Sequence, residues 1–188
     1  DRARRRAIAG DWTSLPFDDS TFDAVIGDGS LHSAPECLDE IFREIGRILA
    51  PAGKAAFRAF CSPDRPETLA AIQEDVHGGW SGNVHALKWR IAMAVAASFP
   101  DAIVPVSAIL AAFDAMFPDR ARLAAVTGWS IDDIATLDAY AGADHSLGFP
   151  TLPSLLARGA RVFPEARVLP GAGYPLAERC PTILWTAP

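Results

Sequence analysis

The hydrophobic positions of this chain change period along its length. Phe22 to Ile26 is a short apolar run closed by Gly27, Asp28 and Gly29. That predicts a strand covered on both faces whose carboxyl end opens into a glycine-bearing turn. Leu38, Ile41, Phe42, Ile45, Ile48 and Leu49 then recur at helical spacing. Ser33 with Glu36 has the form of a capping box ahead of them, and Pro51 and Gly53 stop the helix. Lys54 to Phe60 resumes as a strand and ends at Cys61, Ser62 and Pro63. Strand, helix and strand in this order predict an α/β fold, and open sheets of that kind bind ligands at the carboxyl ends of their strands.

Beyond Cys61 the pattern turns helical. Helices are expected over Pro66 to Val76, Val84 to Phe99, Pro105 to Phe117, Asp119 to Thr127 and Ile131 to Ala141, the last capped by Ser130 with Asp132 and Asp133 in its first turn. Gly78, Gly79, Ser81 and Gly82 break the chain around Trp80. Leu152 to Ala160 reads as a further helix, with Ala166 to Leu169 and Pro181 to Trp185 as closing strands and Gly171 and Gly173 in the turn between them. Residues 1–60 and 151–188 thus form an α/β core, and 61–150 a helical insertion. There is no internal repeat.

Composition narrows the function. Of 188 residues, 50% are apolar, enough for a packed core, and the net charge of −6 argues against a nucleic-acid surface. Asp1 to Arg6 is the only basic run, and it reads as a solvated face more readily than as a phosphate-binding arm. Cys37, Cys61 and Cys180 are dispersed and form no CxxC pair, which fits a reducing cytoplasm. No apolar run reaches the roughly 20 residues that span a bilayer, so no membrane partner is expected.

Residues 10–60 present, in order, Gly10-Asp11-Trp12, Leu15-Pro16-Phe17, Asp18-Asp19, Phe22-Asp23-Ala24-Val25, Leu31-His32, and the run from Arg47 through Leu49 and Pro51 to Gly53. This order of motifs resembles that of class I S-adenosylmethionine-dependent methyltransferases. The closing strands, Ala166 to Leu169 and Pro181 to Trp185, resemble the family's last pair. The resemblance implies a Rossmann-like, mostly parallel sheet with an antiparallel final strand and a helical insertion between the later strands. It also implies a strand over Arg6 to Ala9. The family's glycine loop and the acid that holds the ribose match no residue of this sequence and would precede Asp1. The first strands are therefore expected to be missing, which would leave an open sheet edge and favour homo-oligomerisation.

The same resemblance implies S-adenosylmethionine as cofactor and a small-molecule acceptor, with the insertion shaping the acceptor pocket. Asp11 matches the position that accepts from the adenine amino group, although a loop acid there also caps turns. Trp12 would flank the ring or join the core. Asp28, Gly29 and Ser30 sit where the methionine part should lie, or form a plain strand-end turn. His32 is the candidate base for a hydroxyl acceptor, its ordinary pKa being near 6.5, with a positioning role as the alternative. His77, Trp80, His85 and Trp89 are candidate substrate-binding residues, or else core aromatics and surface histidines. No metal site is expected, since His77 and His85 lack the one-turn spacing of paired helical ligands. Ser30 lies on a strand-to-helix turn, as a hydrolase nucleophile would, but a hydrolase is not the expected reading, because Asp28 and His32 stand where the nucleophile elbow needs glycines. Two readings remain: an active methyltransferase, or a methyltransferase-like domain kept for binding or assembly.

Overall fold

The computed structural model describes residues 6–188; most of the basic run, Asp1 to Arg5, lies outside them. Strand β1 (Phe22–Asp28), helix α1 (Leu38–Ile48) and strand β2 (Leu49–Arg58) form the expected unit, with β1 and β2 parallel. The capping box is not used. Pro35 opens a short 3₁₀ turn, Pro35–Cys37, that takes up Glu36, so α1 starts only at Leu38, with Cys37 as an N-cap that makes no side-chain bond.

Strand β2 also begins five residues earlier than expected, at Leu49 rather than Lys54. Its register against β1 jumps from Phe22↔Leu49 to Ala24↔Lys54, and Ala52 takes φ 61° in the bulge. A proline can sit in such a strand because a bulge frees it from the ladder.

Strands β5 (Glu165–Leu169) and β6 (Thr182–Thr186) complete a four-stranded sheet in the order β1-β2-β6-β5. Strand β6 runs antiparallel to both β2 and β5. Three strands therefore share one direction and the final one opposes them, as the resemblance implies. Arg6 to Ala9 forms no strand and is exposed, because no neighbouring strand hydrogen-bonds to it among the described residues. Coverage of β1 on both faces is likewise not found. That strand is the sheet edge, and Ile26 is 83% exposed.

The inner face of the sheet packs under α1 and α7 (Leu152–Gly159). Trp185 and Ile183 of β6 are fully buried there with Phe42 and Phe163. The Trp185 ring stacks 6.0 Å from Phe163 and meets Phe42 edge-on at 5.2 Å.

A second apolar cluster belongs to the helices of the insertion: α2 (Leu69–His77), α3 (Val84–Ala96), α4 (Val106–Met116), α5 (Arg120–Thr127) and α6 (Ile131–Ala135). Thr68, Asn83, Asp119 and Ser130 each cap a helix through a side-chain oxygen that accepts a backbone N–H. The fifth expected helix continues past α6 only as a 3₁₀ turn, Thr136–Tyr140. A two-stranded ribbon, β3 (Ile103–Pro105) with β4 (Ser146–Gly148), was not anticipated, because three-residue strands are too short to show a period.

The insertion is tied to the sheet by charge. Arg90 of α3 is 5% exposed and pairs with Glu67 and, at 2.6 Å, with Asp75. Glu67 also accepts from Arg179, 2.6 Å away, just before β6. A buried guanidinium requires such partners, since an unpaired buried charge costs several kcal/mol.

Burial predicts opposite outcomes at two isoleucines. Ile183→Ala should lower the urea-unfolding free energy by about 2–5 kcal/mol, whereas Ile26→Thr should change it by no more than about 0.5 kcal/mol. Comparable losses at both positions would contradict the placement of Ile26 on an uncovered face.

Candidate functional site

The carboxyl end of β1 opens into a cleft of about 390 Å³, lined by Trp12, Leu15, Val25, Ile26, Asp28 and Ser30 among others. The loop on its upper side is fixed by two residues of α1. Arg47 donates to both Glu44 carboxylate oxygens, at 2.9 and 2.6 Å, to the Phe17 and Leu15 carbonyls at 2.8 and 3.2 Å, and to Asp19 at 2.7 Å. Glu44 in turn accepts the Leu15 N–H at 2.7 Å. The Leu-Pro-Phe and Asp-Asp motifs and the Arg47 motif are therefore the two halves of one clamp.

Asp11 makes an Asx turn, its Oδ1 accepting from the Thr13 N–H at 2.8 Å and the Thr13 hydroxyl at 2.7 Å. Those bonds, the backbone one first, hold its pKa below the usual carboxylate value. Its Oδ2 has no partner among the described residues. Trp12 is 45% exposed at the cleft wall.

Asp28 is engaged by Arg58 of β2, whose Nε and Nη2 donate to its two carboxylate oxygens at 2.5 and 3.1 Å. Its charge is thus already balanced within the chain. Gly29 has φ +62°, and a Cβ there would lie 2.6 Å from the Phe60 ring, so only glycine fits without a shift. The Ser30 hydroxyl is buried without a hydrogen-bond partner.

His32 sits among aromatic rings, 4.8 Å from Phe60, 5.3 Å from Trp89 and 6.0 Å from Phe149. Burial lowers its pKa to about 4; the Gly29 carbonyl offsets part of the drop and the nearby Lys88 adds to it. The ring is therefore neutral at pH 7, and its Nδ1 has no partner. Such a ring is a poor base, because taking up a proton would bury a charge.

The four candidate acceptor residues do not gather in one place. His85 and Trp89, one turn apart on α3, share a cleft with Arg58, Phe60 and Tyr174. Trp80 instead packs edge-on against Trp129 at 6.4 Å, beneath the Arg90 guanidinium. His77, at the end of α2, lies in a separate cleft with Gln73 and Arg122. The loop between α2 and α3 turns His77 away from α3, which a linear spacing cannot show.

Arg58, Phe60 and Tyr174 escaped the sequence reading; the only signal was that Arg58 and Phe60 close a strand of the motif-bearing unit. Among the described residues, no cluster of three or more His, Cys, Asp and Glu could hold a metal ion, and no helix is long and apolar enough to cross a membrane.

The depressed His32 pKa predicts a pH dependence. The unfolded chain binds more protons at this site between about pH 6.5 and 4, so folding stability should fall as pH drops through that window. His32→Phe should flatten the midpoint's dependence on pH in thermal melts from pH 7.5 to 4.5. An unchanged slope would show that His32 is not held neutral.

A family described as a methyltransferase domain matches residues 1–57. Over 51 residues the chain is 43% identical to the sterol 4-C-methyltransferase of Caenorhabditis elegans, covering 27% of this chain and 15% of that protein. Over 126 residues it is 32% identical to the demethylmenaquinone methyltransferase of Mycolicibacterium paratuberculosis, covering 65% and 49% respectively. The chain thus spans at most about half the length of these curated relatives. A SAM-dependent methyltransferase structure from Methanosarcina mazei superposes with a TM-score of 0.44 at 15% identity, over 95% of this chain and 65% of that one. The clamp, β1 and the strand-end turn all fall within residues 1–57, the segment that matches the methyltransferase-domain family.

Proposed function

We propose that this chain serves methyl transfer from S-adenosylmethionine to a small-molecule acceptor. The observation that carries the reading is the meeting of Trp12, Asp28 and Ser30 in one cleft at the end of β1, within the segment that matches the methyltransferase domain. The residues fit the cofactor's chemistry. Trp12 offers a flat apolar wall, and the buried Ser30 hydroxyl is a polar group without a partner among the described residues. A volume of about 390 Å³ lies within the range of small-molecule pockets.

When bound, the cofactor supplies a sulfonium-borne methyl group suited to in-line displacement. The chain's own work is then positioning and exclusion of water. Gly29 lets the backbone approach closely, and the Arg47 clamp fixes the loop from Leu15 to Asp19, of which Leu15 lines the cleft. His32 contributes as a neutral member of the ring cluster behind Gly29. His85 and Trp89 border the acceptor side; Trp80 and His77 act structurally or at the surface. The three unbonded thiols suit a reducing compartment such as the cytoplasm.

Calorimetric titration with S-adenosylmethionine and its demethylated product tests this. Binding should weaken by about tenfold or more in Trp12→Ala, the scale of one lost aromatic contact. No binding, or binding indifferent to Trp12, would contradict the reading.

One observation favours an assembly role beside catalysis: among the described residues β1 is an uncovered sheet edge carrying the exposed Ile26. Under that second reading the chain self-associates in sedimentation and Ile26→Lys returns it to a monomer. A wild-type chain that is monomeric at high concentration would dismiss it.

A further inference from the structure

Between the end of β2, the start of α3 and the segment before β6 lies a cleft of about 160 Å³. This is close to the roughly 150 Å³ of a protein cavity known to admit benzene, so it matches a single six-membered ring. Its walls are aromatic: Phe60 lies at 31° to Trp89 with centroids 5.0 Å apart, and Tyr174 faces them. Arg58 is spread between two of these rings, its guanidinium carbon 5.8 Å from the Phe60 centroid and 5.6 Å from that of Tyr174.

Net charge is −6, yet the described residues that line the cleft include Arg58, paired with Asp28, and His85, and no carboxylate. Lys88 stands 4.4 Å over the outer face of Trp89 and has no carboxylate partner among the described residues. Asp28 takes Nε and Nη2 of Arg58, and the Tyr174 side chain is a further hydrogen-bond partner of the guanidinium. A guanidinium has five N–H donors, so one fixed in an aromatic wall by these partners still has donors for an anionic oxygen on a flat ring.

The same wall separates this cleft from the strand-end turn. Phe60 is the ring against which Gly29 closes, and Arg58 bonds to Asp28. A ring seated in the cleft is therefore one side chain away from the turn that lines the larger cleft.

We infer that this cleft binds a monocyclic aromatic compound carrying an anionic oxygen, a carboxylate or phenolate, with Arg58 as its anchor and Phe60, Trp89 and Tyr174 as its walls. As the identity of the methyl acceptor this rests on the methyl-transfer reading; as a binding site it does not.

The test is titration of the chain with 4-hydroxybenzoate and with its neutral counterpart 4-hydroxybenzyl alcohol, followed by tryptophan fluorescence. The acid should bind about tenfold tighter than the alcohol, the worth of one charge-assisted bond. Arg58→Gln should erase that preference while alcohol binding persists, which also reports a folded cleft. Asp28→Asn removes a carboxylate whose side chain is 70% exposed, so the fold should tolerate it. By freeing Arg58 it should tighten the acid and leave the alcohol unchanged. Equal affinity for acid and alcohol, no binding of either, or an Asp28→Asn variant that leaves the acid's affinity unchanged or weaker would overturn the inference. If anion-selective binding appears but S-adenosylmethionine and its product do not bind, the methyl-transfer reading fails and the cleft stands.

Discussion

The Arg47 guanidinium is the junction on which the cleft depends. It takes the Glu44 carboxylate three residues away and, from 28 to 32 residues away, the Phe17 and Leu15 carbonyls and the Asp19 carboxylate, and so converts a turn-rich loop into a fixed wall. Loops of this kind cannot satisfy their own backbone carbonyls, so a planar cation with several donors is an economical partner. Glu44 completes the arrangement by accepting from both Arg47 and the Leu15 N–H.

A second cation organises the other side of the turn. Arg58 closes β2 and reaches across the parallel ladder to Asp28, so the ends of two adjacent strands are locked together where the sheet meets the insertion. Because Asp28 is spoken for, the region is not an acidic patch despite the acidic chain. Gly29 turns between the two clefts with its φ in the left-handed region, and Phe60 fills the space that a side chain there would take. The aromatic cluster of Phe60, Trp89, Phe149 and His32 then keeps water from the back of the turn, and the same burial holds His32 neutral.

Much of this was legible in the sequence because it is local. The helices of the insertion begin where Asn83, Asp119 and Ser130 offer side-chain oxygens to free backbone N–H groups, a signal confined to four residues. The period of Leu38, Ile41, Phe42 and Ile45 reports the face that α1 buries. Where local signals competed, the sequence misled. Ser33 and Glu36 have the spacing of a capping box, but Pro35 between them starts a 3₁₀ turn instead. Pro51 and Gly53 look like breakers, yet a bulge absorbs them within β2.

Short-range period, capping and motif order were enough to read the α/β alternation, the run of helices after β2, the likeness of residues 1–57 to a methyltransferase domain and the positions that turn at the end of β1. Which of the candidate residues share a cleft is a matter of tertiary contacts. His85 and Trp89 meet Arg58 and Tyr174 through contacts between distant segments, whereas His77, twelve positions from Trp89, points elsewhere. The tertiary structure also decided that Asp28 is paired and His32 neutral, because charge state depends on neighbours and burial that no linear spacing encodes.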